Sequence, residues 1–192
     1  CKKTIVSIFV NPTQFNDKKD YTRYPRNVKK DLSILSNLKV DFVFLPSKKD
    51  VYNFKRKIKI KVAKKDKILC AKYRKGHFEG VIDVMDRLTN MIKPRKIFMG
   101  EKDYQQLYLV KKYLQKKNVG TIISCKTIRD NYKLALSSRN FHLNKKELNK
   151  ARLISKNLNE FKKKLTKMQD IQKSILLKKK EYENLGNTKI EY

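Results

Sequence analysis

The chain has 192 residues, of which 40% are hydrophobic, and it carries a formal net charge of +31 at pH 7. This length and apolar content suit one folded domain, or one domain and part of a second. No apolar run approaches the ~20 residues that a membrane-spanning helix needs, and we recognise no secretory leader. We therefore expect neither a membrane-spanning protein nor a secreted one.

The cysteines and histidines are few. Cys1, Cys70 and Cys125 are an odd number and lack the spacing of metal ligands, which indicates reduced thiols and a cytoplasmic protein. His77 and His142 are too few and too far apart to suggest a zinc site. We expect no residues that ligate a metal directly.

The strong positive charge would ordinarily indicate a nucleic-acid partner. The basic residues, however, are mostly lysine and are spread over the whole chain, among many Ile and Asn residues and very few Ala, Gly and Pro. Such a composition is typical of codon drift in an AT-rich genome, with lysine accumulating on solvated surfaces. No RNA-binding aromatic motif or zinc finger accompanies it. Nucleic-acid binding therefore remains the alternative interpretation.

Strands and helices alternate along the first half of the chain. A nearly continuous apolar, β-branched run over residues 4–10 predicts a buried strand that stops at the turn signal Asn11-Pro12. Apolar positions within residues 26–38 predict a helix, and residues 41–45 predict a second buried strand. Strict alternation over residues 57–62 predicts a strand with one solvated face.

The same alternation continues further along the chain. Apolar residues at helical spacing predict a helix over residues 81–92, followed by a short strand over 96–99. Residues 103–117 predict a helix and residues 119–125 the next strand. From Asn144 onward two Lys-rich helical stretches follow, and residues 188–192 predict a last strand without an evident partner.

This order predicts an α/β fold with a parallel sheet covered by helices. In such sheets ligands bind at the carboxyl ends of the strands. That rule selects residues 11–16, 100–106 and 129–140, which are also rich in polar and small residues. The pattern changes near Ile128, so we predict one domain over residues 1–127 and a second over 128–192. Because the chain starts inside a strand without methionine, we expect it to be cut at both ends.

Six runs carry a resemblance to a known family. In this order they resemble the pantoate–β-alanine ligases, the pantothenate synthetases, over nearly the whole chain. The runs are residues 6–16, 23–26, 40–44, 76–81, 100–106 and 134–140.

The resemblance implies a HIGH-type nucleotidyltransferase fold, in which a Rossmann-like domain that binds nucleotide and pantoate precedes a smaller α+β domain. It also implies a homodimer. The implied reaction condenses pantoate with β-alanine at the expense of ATP, with Mg²⁺, through a pantoyl adenylate, and gives pantothenate, AMP and pyrophosphate.

The resemblance also assigns site residues. The Ser-Ser-Arg run matches the family's KMSKS-like loop, and its hydroxyl and guanidinium donors suit a triphosphate. Lys102 would contact phosphate and Asp103 the ribose, whereas three carboxamides would bind pantoate or β-alanine. The implied ATP-binding residues are Gly100, Glu101, Lys102, Asp103, Ile128, Leu136, Ser137, Ser138 and Arg139, and the implied substrate-binding residues are Asn11, Gln14 and Gln106.

The residues also allow other interpretations. Taken alone, Asp103 would be the N-cap of the following helix, and His77 is better explained as a structural residue at a helix entry than as a general base. The chain has Tyr132-Lys133 where the family usually has Asp-Gly, which allows a decayed, non-catalytic relative.

A further departure concerns catalysis. The family's His-x-Gly-His motif is not found in this sequence. We therefore expect no certain catalytic residue in this fragment, only supporting roles for Lys102 and Arg139, and little or no activity of the 192 residues alone.

Overall fold

The structure is a computed structural model that describes residues 3–54, 60–117, 119–165, 170–184 and 190. The chain divides into two compact units, Cys1–Cys125 and Lys126–Tyr192. The division at residues 127/128 that the sequence predicts, and the binding roles of the two predicted domains, stay predictions.

The first unit alternates strands and helices. Its strands are β1 (Ile5–Ser7), β2 (Phe42–Phe44), β3 (Lys96–Gly100) and β4 (Thr121–Cys125). Its helices are α1 (Lys18–Arg23), α2 (Val28–Asn37), α3 (Lys48–Val51), α4 (Cys70–Tyr73), α5 (His77–Ile92) and α6 (Tyr104–Gln115).

The strands pair in parallel, as the α/β prediction requires. β1 pairs with β2 in the register Ile5↔Phe42, and β3 pairs with β4 in the register Lys96↔Thr121. Helices supply the crossovers: α1 and α2 lie between β1 and β2, and α6 lies between β3 and β4. Among the described residues, the ladders form two two-stranded sheets instead of one continuous sheet. The α/β class is confirmed. The apolar runs in the sequence predict where strands lie, but they do not predict which strands pair with each other.

Two predicted strands are not found where the structure can be described. Residues 57–59 lie outside the described residues, and residues 60–62 are not in a strand. The Val62 backbone N–H donates instead to the Glu79 carboxylate at 3.4 Å, and the Val62 side chain is buried in the core. Of the predicted strand at 188–192, only Ile190 is described, and it is not in a strand.

The core of the first unit lies where α5 and α6 pack together. The helix that the apolar spacing predicts over 81–92 is confirmed, because α5 spans His77–Ile92, buries Val81 and Leu88 and partly buries Met85 and Ile92. The main cluster consists of Val62, Phe78, Val81, Ile82, Leu107, Leu109, Val110, Leu114 and Ile122. A second cluster consists of Val51, Val84 and Leu88, with Phe9, Phe44, Tyr52 and Met85 packed against it.

The second unit contains two long helices. They are α7 (Lys145–Leu165) and α8 (Ile171–Glu183), and a 3-10 helix, Ser138–His142, precedes them. Asn144 and Glu147 begin α7 with reciprocal bonds: Asn144 Oδ1 accepts from the Glu147 N–H at 3.0 Å, and Glu147 Oε2 accepts from the Asn144 N–H at 2.8 Å. This supports the predicted helix start at Asn144. Within the described ranges no helix combines the length and apolarity needed to cross a membrane.

Gly80 brings α5 close to the loop that follows β1. A Cβ atom at Gly80 would lie 2.6 Å from the Thr13 carbonyl oxygen and 2.9 Å from its carbonyl carbon. Both atoms are backbone, so a side chain at position 80 would force the helix and the loop apart. Only glycine permits this approach.

We therefore expect Gly80→Ala to lower the free energy of unfolding by about 1–3 kcal/mol, which is the usual cost of overpacking. Urea denaturation measures the change. Gly100→Ala is the matched control, since a Cβ atom there meets nothing within 4 Å and its φ is −74°. Equal stability of the two variants would contradict the role given to Gly80.

Candidate functional site

Asn11 lies in the loop after β1 and is 2% exposed. Its Oδ1 accepts from the Thr13 backbone N–H at 3.2 Å and from the Tyr52 hydroxyl at 2.7 Å. Its Nδ2 donates to the Gly80 carbonyl at 3.2 Å and to Gln14 Oε1 at 3.2 Å. Both amide hydrogens are thus used within the protein. Asn11 holds the loop on α5 and orients Gln14, which leaves it no hydrogen to offer a ligand.

Gln14 is half-buried beside Asn11. Its Oε1 is bound by Asn11, and among the described residues nothing accepts a hydrogen bond from its Nε2. The Gln14 carbonyl oxygen accepts from Nδ1 of His77, the first residue of α5, at 2.6 Å. His77 is only 7% exposed. This geometry supports the structural interpretation of His77, and it leaves the Gln14 Nε2 group as a donor without an acceptor among the described residues.

A second polar segment follows β3. Residues Glu101–Asp103 form a 3-10 helix between Gly100 and α6. Glu101 Oε1 accepts from the Ser124 hydroxyl of β4 at 2.7 Å, so this carboxylate is tied to the neighbouring strand. Lys102 is exposed, and its Nζ lies 3.2 Å from Asp103 Oδ1. Exposed ion pairs of this kind contribute little stability, so an incoming anion can replace Asp103 as the partner of Lys102.

Asp103 occupies the position before α6, but its carboxylate makes no capping hydrogen bond to the helix. Asp103 is therefore the N-cap residue of α6 by position, as the alternative interpretation expects, but its side chain does not supply the capping hydrogen bond. The N-terminal end of α6 carries the positive end of the helix dipole, and Lys102 lies in the 3-10 helix immediately before it. Gln106 lies in the first turn of α6 and is half-buried. The end of β3 thus offers positive charge, one carboxylate and one carboxamide.

The Ser-Ser-Arg segment belongs to the second unit. The Leu136 N–H donates to the Ile128 carbonyl at 3.0 Å, and the Asp130 N–H donates to the Leu134 carbonyl at 2.8 Å, so the segment leaves a short antiparallel hairpin. Ser137 Oγ then accepts from the Arg139 N–H at 3.3 Å, which begins the 3-10 helix.

The side chains of this segment are at least partly exposed to solvent. Arg139 is exposed, and Ser137 and Ser138 are half-buried. Ile128 and Leu136 expose 68% and 55% of their surface. The segment thus presents hydroxyl and guanidinium donors next to apolar side chains within one unit.

The turn of this hairpin has an unusual backbone. Lys133, at the position where the resemblance expects glycine, has a φ of +69°. Asp130 Oδ1 accepts from the N–H groups of Tyr132 at 3.0 Å and Leu134 at 2.9 Å, and Arg152 Nε donates to Asp130 Oδ2 at 2.9 Å. Burial raises the pKa of Asp130, but these hydrogen bonds outweigh burial and bring the pKa below its ordinary value. The charged Asp130 carboxylate therefore stabilises the left-handed backbone conformation of Lys133, which a residue with a side chain rarely adopts.

Sequence reasoning missed Tyr52 and Gly80 as partners of the first loop. Tyr52 is 41 residues from Asn11 and Gly80 is 69, and contacts over such separations leave no periodic signal in the chain. In the part of the chain that the structure describes, no group of three or more His, Cys, Asp or Glu side chains is arranged to hold a metal ion.

The first unit, with parallel strands, covering helices and polar loops at the carboxyl ends of β1 and β3, defines an α/β protein. The sequence model of the family described as pantoate-beta-alanine ligase matches residues 1–192. The chain therefore belongs to the pantoate–β-alanine ligase family.

Curated relatives support this membership. The pantothenate synthetase of Leptospira interrogans serovar copenhageni is 45% identical over 154 residues, which are 79% of this chain and 54% of the relative. That of Acetivibrio thermocellus is 40% identical over 152 residues, with 79% and 54% covered. The chain thus spans about half the length of the curated relatives that it matches.

Solved structures share the fold. A pantoate–β-alanine ligase from Thermus thermophilus superposes with a TM-score of 0.91 at 28% identity, covering 100% of this chain and 70% of that one. The Francisella tularensis ligase, solved in complex with Beta-gamma ATP and β-alanine, gives a TM-score of 0.78 at 37% identity, covering 92% and 68%.

The left-handed backbone of Lys133 generates a stability prediction. A non-glycine residue in this region costs roughly 1–2 kcal/mol, offset in part by the greater freedom of glycine in the unfolded chain. We expect Lys133→Gly to raise the free energy of unfolding of the second unit by about 0.5–1 kcal/mol, measured by urea denaturation. Lys126→Gly, at an exposed residue without a positive φ, is the control and should bring no gain. A loss of stability in Lys133→Gly would contradict the strain argument.

Proposed function

We propose that this chain is part of an ATP-dependent ligase that joins pantoate to β-alanine. Family membership supports the reaction, and the arrangement at the end of β3 carries the assignment. An exposed Lys102, paired weakly with Asp103 just before a helix that no side chain caps, suits a polyphosphate. The names of the relatives and the ligands of the Francisella enzyme agree with this class of reaction.

The nucleotide contacts are proposed in each unit separately. In the first unit, Gly100, Glu101 and Lys102 line the phosphate side and Asp103 binds the ribose hydroxyls. The Ser124 hydroxyl donates to Glu101 Oε1 and so fixes the position of this carboxylate. In the second unit the phosphate donors are Ser137, Ser138 and Arg139, and the exposed Ile128 and Leu136 offer apolar contact to the nucleotide.

Pantoate is assigned to the carboxamides. Gln14 offers Nε2 hydrogens to an oxygen of the ligand, and Gln106 adds a group that both donates and accepts. Asn11, which the resemblance places among the substrate-binding residues, is assigned a supporting role because its amide hydrogens are bound by Gln14 and Gly80.

The proposed chemistry has two steps. A carboxylate oxygen of pantoate attacks the α-phosphorus of ATP, the bond to pyrophosphate breaks, and a pantoyl adenylate forms. The amine of β-alanine then attacks the acyl carbon, the bond to AMP breaks, and the amine proton leaves to solvent. The residues named here position the reactants and stabilise phosphate charge, which is the main contribution of a protein to such displacements.

Mg²⁺ is proposed only as a companion of the nucleotide. Asp103 is paired with an ammonium and Glu101 with a hydroxyl, and this donor set does not fit a protein-bound divalent cation. The phosphate oxygens of ATP would hold the ion, and we assign it to no residue of this chain.

Three further statements belong to the same proposal. A polypeptide limited to these 192 residues should form little or no adenylate, because its two histidines do not form a His-x-Gly-His motif. The protein is proposed to act in the cytoplasm and as a homodimer, as the family resemblance implies.

The nucleotide site is tested with Lys102→Ala. A hydrogen bond to a charged group contributes about 1.5–3 kcal/mol, so we expect ATP affinity, measured by calorimetry at physiological salt, to fall roughly ten- to a hundredfold. Lys96→Ala, at the opposite end of β3, removes the same charge and should change ATP affinity less than twofold. Equal losses in both variants would indicate non-specific attraction to a basic surface.

The reaction is tested on the protein isolated from its own source. We expect AMP formation that requires both pantoate and β-alanine, and we expect Lys102→Ala to reduce it strongly without lowering the melting temperature. AMP formation that is independent of pantoate would contradict the proposed substrate.

A further inference from the structure

The backbone fixes which end of the Gln14 carboxamide faces a ligand. The Thr13 N–H can only donate and the Gly80 carbonyl can only accept, so they determine which atom of the Asn11 amide is oxygen and which is nitrogen. With Nδ2 thus assigned, its second hydrogen points to Gln14 and requires the oxygen of Gln14 there. The Gln14 Nε2 group is consequently the end that remains for a ligand.

Tyr52 supports this arrangement from the other side of Asn11. Its hydroxyl donates to Asn11 Oδ1 at 2.7 Å and lies 3.0 Å from the Thr13 hydroxyl, which itself lies 3.0 Å from Asn11 Oδ1. Burial raises the pKa of Tyr52 above its ordinary value of 10, so the hydroxyl remains a donor at neutral pH. Without it, Asn11 Oδ1 loses its shortest hydrogen bond.

The ring of Tyr52 is itself held in place. The Arg87 guanidinium lies 4.7 Å from the Tyr52 ring centre and 4.7 Å from the Phe54 ring centre. Arg87 is 5% exposed; its Nη1 donates to the carbonyls of Val51 at 3.1 Å and Phe54 at 3.2 Å, and its Nε donates to Asp83 at 3.1 Å. A buried guanidinium that is bonded through both Nε and Nη1, on a helix of 16 residues, is a rigid support for a phenol ring.

We propose that Tyr52 is a positioning residue that acts through Asn11 to hold Gln14 with its Nε2 hydrogens toward the ligand, so that the site selects an oxygen acceptor. The inference rests on the proposed role of Gln14 in binding pantoate, whose hydroxyl and carboxylate oxygens are acceptors. It gives the Asn11–Tyr52 pair a function in specificity as well as in folding.

The test combines Tyr52→Phe with Gln14→Met in the full 192-residue chain, with pantoate as the ligand and calorimetry as the measurement. Tyr52→Phe keeps the ring and removes only the hydroxyl, so we expect pantoate affinity to fall about five- to tenfold while ATP affinity changes less than twofold. In the Gln14→Met background the same substitution should change pantoate affinity less than twofold, because Tyr52 acts only through Gln14. Tyr113→Phe, in the other apolar cluster, is the matched control and should leave pantoate affinity unchanged.

The outcomes separate this inference from the proposed function. Unchanged pantoate affinity in Tyr52→Phe, or losses that add in the double variant, would overturn the positioning role and leave the pantoate assignment standing. No pantoate binding by the unsubstituted chain, or no loss in Gln14→Met, would overturn both.

A second measurement applies if Tyr52→Phe does not fold. In the unsubstituted chain, pantoate should shift the side-chain amide resonances of Gln14 in ¹⁵N-correlated NMR spectra and leave those of Asn11 nearly unchanged. Shifts of the Asn11 amide without shifts of Gln14 would overturn the inference.

Discussion

The loop after β1 depends on one buried amide, that of Asn11. An amide removed from water costs several kcal/mol unless its hydrogen-bonding capacity is used, and here the capacity is used by groups from three parts of the chain: the loop itself, Tyr52 and α5. The loop, the helix and the tyrosine therefore have to adopt their positions together. Gly80 makes the arrangement possible because any larger residue would keep the Thr13 carbonyl away from α5.

Charge is distributed unequally between surface and interior. The chain has 49 basic and 18 acidic residues, yet several of the few carboxylates are bonded at structurally important points. Asp86 is fully buried and lies 3.0 Å from Lys117 Nζ, and Asp66 lies 2.7 Å from Lys112 Nζ. Hydrogen bonds from Lys3 and Thr4 hold the pKa of Asp41, next to β2, well below its usual range. The excess lysines lie mainly on solvated faces, where each lowers the stability little. The net charge is therefore a property of the surface and does not determine the fold.

The sequence predicted the elements whose signals are local. The helices α5 and α6 and the strands β3 and β4 were recognisable because their apolar spacing is set by burial in one core. The predicted strand at 57–62 was misleading in its described part, since alternation of lysine with apolar residues also arises by composition alone. Tyr52 was not recognisable as part of the first loop, because its contact with Asn11 joins residues far apart in the chain. Motif matching predicts Gln14 and Lys102 as site residues, and the structure shows which of their atoms have partners within the protein.

Lys133 shows why a lost glycine is not by itself a sign of lost function. The left-handed turn that glycine would adopt freely is retained by Lys133, at a φ of +69°, since the Asp130 carboxylate binds the N–H groups on both sides of it. The Lys133 carbonyl is bound in turn by Arg129 at 3.0 Å and by Ser155 at 2.6 Å. Lys133 therefore costs stability at this position, but these bonds hold the backbone that leads toward the Ser137–Arg139 segment. Lys39 and Lys93 also have positive φ values, 52° and 50°, so lysine has been accepted at several backbone positions that favour glycine. Drift toward lysine accounts for Lys133 as readily as decay of a functional loop does, and the well-bonded backbone around Lys133 favours drift.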